Sequence, residues 1–210
     1  MLRILVADDH PIVRQGVRQI IADTTDMIVA DEASNGPEVL SKVRAGSYDV
    51  VLLDISLPGI NGIDVLRQLR NERPRPHALI LSIHPEEQYA VRAFRAGASG
   101  YLTKESAPDE LVAAIRKVSS GGKYVSASLA ERLASYLETS DEQLPHKTLS
   151  DREYQVMCMI ASGSTVTEIA EQLSLSVKTI STYRSRVLEK MNMKNNAELT
   201  HYAIKNRLVE

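Results

Sequence analysis

Asp54 closes an unbroken apolar run, Val50-Val51-Leu52-Leu53, and the loop Ser56-Leu57-Pro58-Gly59 follows it. A second run, Ile4-Leu5-Val6-Ala7, ends in Asp8-Asp9. Runs this short and this apolar suit strands buried on both faces of a parallel sheet. Carboxylates at the carboxyl ends of such strands lie where open α/β sheets take ligands. Three acids meeting there cannot all stay charged and close without a cation. The arrangement predicts a hard divalent metal and one carboxylate left for chemistry. Lys104, after Gly100-Tyr101-Leu102-Thr103, falls at the same edge, as does the hydroxyl of Ser82 in the apolar run Ala78–Ile83. The set suits phosphoryl transfer: metal and lysine neutralise phosphoryl oxygens, and Asp54 is the nucleophile. Magnesium, which takes carboxylates, waters and phosphate oxygens octahedrally, is the natural ion.

The elements that must position these residues alternate. Strand patterns at Ile4–Ala7, Met27–Ala30, Val50–Ile55, Ala78–Ile83 and Gly100–Thr103 are interleaved with helical patterns at Pro11–Ala22, Pro37–Arg44, Ile63–Leu69, Glu86–Ala96 and Pro108–Val118. In the first helix Ile12, Val13, Gly16, Val17, Ile20 and Ile21 share a face. Five βα units predict an α/β fold with a five-stranded, doubly wound parallel sheet and right-handed crossovers. Gly121-Gly122 breaks the pattern; a helix is expected over Ser126–Leu137 and a polar linker over Thr139–Lys147. Beyond Leu149 only helices are expected. Ser150-Asp151-Arg152-Glu153 is a capping box. Val166–Leu173, the turn Ser174-Leu175-Ser176 and Val177–Met191 have helix-turn-helix lengths, and a last helix runs from Ala197 to Asn206. The domains expected are 1–121, a connecting helix and linker over 122–147, and a small all-α domain over 148–210.

Composition bounds the class. The 210 residues are 43% hydrophobic and 25% charged, ordinary for a soluble protein with two small cores. No stretch approaches a membrane span, and the first residues enter a strand rather than a signal peptide. One cysteine, Cys158, excludes an internal disulfide framework and fits a reducing, cytoplasmic setting. The formal charge of -2 announces no nucleic-acid binder, yet Lys178, Arg184, Arg186, Lys190 and Lys194 cluster, opposed locally by Glu189 alone.

These residues closely resemble the receiver domain of two-component response regulators over Met1 to about Ser119. The resemblance implies a flavodoxin-like fold in which Asp54 is phosphorylated. Asp8, Asp9, Asp54 and the Ser56 carbonyl would bind Mg2+, and Lys104 and Ser82 would bind the phosphoryl group. Ser82 and Tyr101 would form a switch pair. Glu105 departs from the pattern, since many receivers carry proline there with a cis peptide. The motifs Leu149-Ser150-Asp151-Arg152-Glu153, Glu168-Ile169-Ala170, Leu173 and Ser176-Val177-Lys178-Thr179-Ile180 resemble the LuxR-type output domain. Receiver and output together resemble the NarL/FixJ class, and Ala197-Glu198-Leu199-Thr200-His201-Tyr202-Ala203-Ile204 the GacA/UvrY subgroup.

By that resemblance Ser181, Thr182 and Ser185 read bases, while Lys178, Thr179, Tyr183, Arg184 and Arg186 contact the DNA backbone. The expected protein is a phosphorylation-controlled transcriptional regulator in which a histidine kinase or phosphotransfer protein modifies Asp54. It would bind double-stranded DNA as a homodimer, with no membrane partner. As an enzyme it would catalyse only its own phosphorylation and dephosphorylation. Each residue alone has a plainer reading. Asp54 could be a loop acid, Asp8 and Asp9 helix caps, Tyr101 a core tyrosine, and the basic cluster a solvated face. His10 and His84 read as solvated loop histidines and Cys158 as a core hydrophobe. Two rival functions remain. An aspartyl-nucleophile phosphatase would place a second acid where Ser56 stands, and a phosphate-independent dimerisation module would not need the full acid set.

Overall fold

Five apolar strands and the helices between them form the first of two units, Met1–Leu133; the second is Ala134–Glu210. The computed structural model describes residues 1–126, 129–131, 144–206 and 208–209. In the first unit β1 (Leu2–Ala7), β2 (Met27–Ala33), β3 (Val50–Leu53), β4 (His77–Ser82) and β5 (Gly100–Thr103) alternate with α1 (Pro11–Ala22), α2 (Gly36–Ala45), α3 (Gly62–Leu69), α4 (Glu86–Ala96) and α5 (Pro108–Ser119). All pairings are parallel, in the order β2-β1-β3-β4-β5. The order reverses between β1 and β3, which opens a crevice at their carboxyl ends. The register aligns those ends, with Ala7 opposite Leu53, Leu53 opposite Ile80 and Ser82 opposite Thr103.

One sheet face packs Ile4, Val6, Val50, Leu52, Leu79 and Leu102 against Val17 and Ile21 of α1 and Leu111, Ile115 and Val118 of α5. The alternate residues Leu5, Val51, Leu53 and Ile80 are buried as well, as expected of strands covered on both faces. Each large aliphatic so buried contributes roughly 1.5–3 kcal/mol before entropic costs. Three expectations shift. β2 runs on through Asp31 and Glu32 because it is an edge strand, whose polar side chains reach water. Ile55 and Ile83 fall outside the strands, and Ile83 is exposed. Ile12 and Gly16, assigned to the apolar face of α1, are exposed, because the stripe that packs on the core is Val13, Val17, Ile20 and Ile21, and Ile12 and Gly16 lie to one side of it.

The expected helix over Ser126–Leu137 falls largely outside the described residues, as does the linker from 139 to 143. At the linker's end Pro145–Thr148 form a 3-10 turn, and His146 Nδ1 stands 2.8 Å from the Tyr202 hydroxyl. In the second unit α6 (Asp151–Ala161) starts at a closed capping box. Ser150 accepts the Glu153 N–H, and the Ser150 N–H donates to the Glu153 carboxylate. α7 (Val166–Gln172) starts at a second such box, Thr165 with Glu168, and α8 (Val177–Lys190) at Ser176, whose hydroxyl accepts the Thr179 N–H. α9 spans Asn196–Lys205. Met157, Ile169, Leu173, Ile180, Val187, Leu199 and Ala203 are buried, so the apolar stripes read from sequence do face inward. Ser174 in the turn has φ 52°, left-handed backbone that reverses the chain between α7 and α8.

Candidate functional site

Beyond β1 and β3, Asp8 and Asp54 are almost fully buried, and Lys104 bridges them. Its Nζ is 2.5 Å from Asp8 Oδ2 and 3.1 Å from Asp54 Oδ2. The other Asp54 oxygen accepts the Ile55 N–H at 2.7 Å. Burial pushes the Asp54 carboxyl above its ordinary value; Lys104 opposes that push and Asp8 reinforces it. Burial likewise pulls Lys104 down, but the attraction of Asp54 and Asp8 outweighs it and holds the ammonium above its usual range. Asp8, Asp9 and Asp54 against Lys104 leave two formal negative charges, the complement of one divalent cation.

Neighbouring elements hold this geometry. The Asp54 N–H bonds to the Ala7 carbonyl and the Lys104 N–H to the Ser82 carbonyl, which continues the sheet ladder into the loops. Arg14, on α1, donates to the Asp8 carbonyl at 2.7 Å. Gly62 opens α3 directly against the Asp54 backbone, where a Cβ would stand 2.1 Å from the Asp54 carbonyl oxygen. Neither Arg14 nor Gly62 carried a signal in the sequence. An arginine on a helix and a glycine after asparagine are ordinary, and only the folded distances give them a role.

The donor set fits a hard ion. Among the described residues Asp9 Oδ1 is buried without a hydrogen bond, although His10 Nδ1 lies 2.8 Å away, and Asp8, Asp9 and His10 offer ligand atoms within 4.8 Å of one another. Neither acid caps α1 with its side chain in the usual way: the N-cap is His10, whose N–H donates to Asp8 Oδ1. Ser82 and Tyr101 are fully buried at the same edge. The Lys104–Glu105 peptide is trans; among the described residues the cis bond is Arg73–Pro74.

His84 departs from the expectation of a solvated loop residue. Its Nε2 is 3.1 Å from Ser56 Oγ, its N–H donates to Ser82 Oγ at 3.3 Å, and its carbonyl accepts from the Tyr101 hydroxyl at 2.9 Å. Its ring stacks at a tilt on Tyr89, with centroids 4.7 Å apart. Burial, with Lys104 nearby, pulls the imidazole down to about 4, so it is neutral near pH 7.

In the second unit α8 exposes Lys178, Ser181, Thr182, Ser185 and Arg186, while Thr179, Tyr183 and Arg184 are half-buried. Lys178, Thr179, Thr182, Tyr183 and Arg186 line an open groove. The Thr182 and Ser185 hydroxyls donate back to the Lys178 and Ser181 carbonyls, both at 3.0 Å, a bond either can exchange for an outside partner. Two members of the basic cluster are engaged within the unit. Arg184 donates to Asn196 of α9 at 2.7 Å, and Lys190 pairs with Glu153 of α6 at 2.6 Å. The cationic face is thus narrower than the sequence cluster.

Residues 4–116 match the family described as response regulator receiver domain, and residues 147–203 the family of bacterial regulatory proteins of the luxR type. The chain belongs to the response regulators. It is 41% identical over 209 residues to the response regulator UvrY of Escherichia coli strain K12, covering 99% of this chain and 96% of UvrY. It is 36% identical over 211 residues to the response regulator GacA of Pseudomonas aeruginosa, covering 100% of this chain and 99% of GacA. Among solved structures, RcsB of Salmonella enterica, bound to promoter rprA with the phosphomimetic BeF3-, aligns at TM-score 0.64 and 25% identity, covering 96% of this chain and 98% of RcsB. The resemblance to the GacA/UvrY subgroup therefore holds over the whole regulator. With a receiver joined to a LuxR-type DNA-binding domain, it is a phosphorylation-controlled regulator of transcription. Among the described residues no helix is long and apolar enough to cross a membrane.

Proposed function

We propose that Asp54 is the residue phosphorylated and that its modification switches sequence-specific DNA binding by α8. The observation that carries this reading is the buried Asp54–Lys104–Asp8 bridge at the switch point of the sheet. An Asp54 oxygen attacks the phosphorus of a phosphohistidine on a histidine kinase or phosphotransfer protein. The P–N bond breaks, the imidazole leaves, and an acyl phosphate remains. Asp8, Asp9, Asp54 and the Ser56 carbonyl would hold magnesium, which when bound offsets phosphoryl charge. Lys104 pairs with a phosphoryl oxygen, Ser82 donates its hydroxyl to another, and Tyr101 is the aromatic partner of that switch.

Residues 1–121 act as the receiver, 122–147 as the connection and 148–210 as the output. Ser181, Thr182 and Ser185 read base edges, and Lys178, Thr179, Tyr183, Arg184 and Arg186 position the helix on the backbone. The protein works in the cytoplasm and binds paired half-sites as a homodimer; the DNA-bound, phosphomimetic RcsB structure supports this output. Its only catalysis is on its own acyl phosphate. With acetyl phosphate and magnesium, the wild-type chain is expected to take up one phosphoryl group, visible by intact-mass measurement, and Asp54→Asn none. Full labelling of Asp54→Asn would place the acceptor elsewhere.

A further inference from the structure

We infer that Glu32, on the edge strand β2, is a positioning residue for the metal site and acts on it through Arg14. The inference rests on the reading that Asp8, Asp9 and Asp54 hold magnesium, and adds what orients the first two. Arg14 lies across two partners. Its Nε donates to Glu32 Oε2 at 2.9 Å and its Nη1 to the Asp8 carbonyl at 2.7 Å. That carbonyl belongs to the peptide joining Asp8 to Asp9, and a peptide is planar. A bond that fixes the carbonyl therefore fixes the plane from which both carboxylates project. The Asp8 N–H donates to the Ala33 carbonyl at 3.1 Å. The pair Glu32-Ala33 thus holds the Asp8 backbone at both of its polar groups, once directly and once through Arg14.

Glu32 meets Arg14 because β2 is irregular. Ile4 of β1 stands opposite Val29, but Leu5 stands opposite Asp31, so Ala30 is an extra residue, a bulge. One extra residue exchanges the faces of all that follow it. Beyond the bulge Glu32 reaches Arg14 and Arg18 of α1, while Asp31 pairs with Lys42 of α2 at 3.6 Å. A guanidinium beside Asp8 would by itself oppose a cation there, and Glu32 supplies its countercharge. The Arg14 side chain is 17% exposed and that of Glu32 24%, so the pair is screened less than a surface bridge. Arg18 meets the same carboxylate one helical turn on, is 60% exposed, and among the described residues makes no bond to Asp8.

The test is a calorimetric titration of the full, unphosphorylated chain with magnesium chloride alone. Two mechanisms give opposite signs for Arg14→Gln. Removing a cation beside a cation site tightens magnesium binding if only the field matters. Releasing the Asp8–Asp9 peptide weakens it. The expected result is a loss of about tenfold in magnesium affinity in Arg14→Gln and in Glu32→Gln. The double variant should lose no more than either, because both substitutions cut one connection. Arg18→Gln should bind magnesium like the wild type. With acetyl phosphate, intact mass should show labelling of Glu32→Gln recovering at high magnesium. Tighter binding by Arg14→Gln, wild-type affinity in Glu32→Gln, multiplied losses in the double variant, or an equal loss in Arg18→Gln overturns the inference. Labelling of Glu32→Gln that stays low at saturating magnesium overturns it too, by assigning Glu32 to the phosphoryl chemistry. Circular dichroism checks each fold. If Arg14→Gln does not fold, Arg14→Lys takes its place with the same expected loss, since it keeps the charge but not the two-armed reach. A wild type that binds no magnesium removes the metal reading itself, before any variant is compared.

Discussion

Asp54 is held in a setting that disfavours its charge. Burial raises its carboxyl above the ordinary 3.8, against the pull of Lys104. The folded chain therefore holds this proton more tightly than the unfolded chain does. Protonated Asp54 stabilises the fold below about the ordinary value, and that contribution is lost as pH rises through the raised one. At neutral pH, without metal, the ionised carboxylate is a cost the site carries for its function. Asp54→Asn, neutral at every pH, should melt higher than the wild type in metal-free buffer at pH 7. The gap should close as pH falls toward 3.8. Magnesium should raise the midpoint of the wild type more than that of the variant, since a ligand of the charged folded site stabilises the fold that carries the charge. Thermal unfolding with and without chelator reads all three. A variant that melts lower at pH 7 without metal would mean the Lys104 pair outweighs burial.

Helices in this fold differ in what their glycines do. Gly62 starts α3 with no room for a side chain, its Cβ position 2.1 Å from the Asp54 carbonyl oxygen and 2.9 Å from Ile55 Cα. Gly16 lies within α1 with nothing among the described residues within 4 Å of its Cβ position. Alanine at Gly16 should therefore stabilise by about 0.5–1 kcal/mol through helix propensity. Alanine at Gly62 should destabilise by roughly 1–3 kcal/mol through forced backbone shifts and lower acetyl-phosphate labelling as well. Urea unfolding of both variants checks the opposite signs; a stabilised Gly62→Ala would show that α3 does not set the Asp54 backbone. The contrast also marks what the sequence could reveal. Apolar runs and their terminal acids disclosed the sheet, its crevice and the Asp8, Asp54, Lys104 and Ser82 positions, because strand period and burial are local. Gly62, Arg14 and His84 were not legible, because their roles arise from distances between segments remote in sequence. Ile12 was misplaced for another reason: helical period marks an apolar face, not how wide a stripe of it the core covers.

Across the whole molecule, a single buried charge has to alter what a separate helical unit does with DNA. The output helix is prepared for two kinds of contact. Lys178 and Arg186 are exposed cations without, among the described residues, the internal ties that hold Arg184 and Lys190. Ser181 and Thr182 are short exposed polar side chains on the same helix. Cations neutralise phosphates whatever the sequence, with a salt dependence that reports their number, whereas hydroxyls meet base edges. Replacing Ser181 and Thr182 together by alanine should remove the preference for operator over random DNA while leaving salt-sensitive, non-specific affinity in place. Lys178→Ala should instead weaken both affinities alike and reduce the salt slope by about one unit. Titrations of both DNAs across a salt series separate the two patterns. Parallel loss of specific and non-specific binding in the double variant would show that these hydroxyls hold the helix in place rather than read bases.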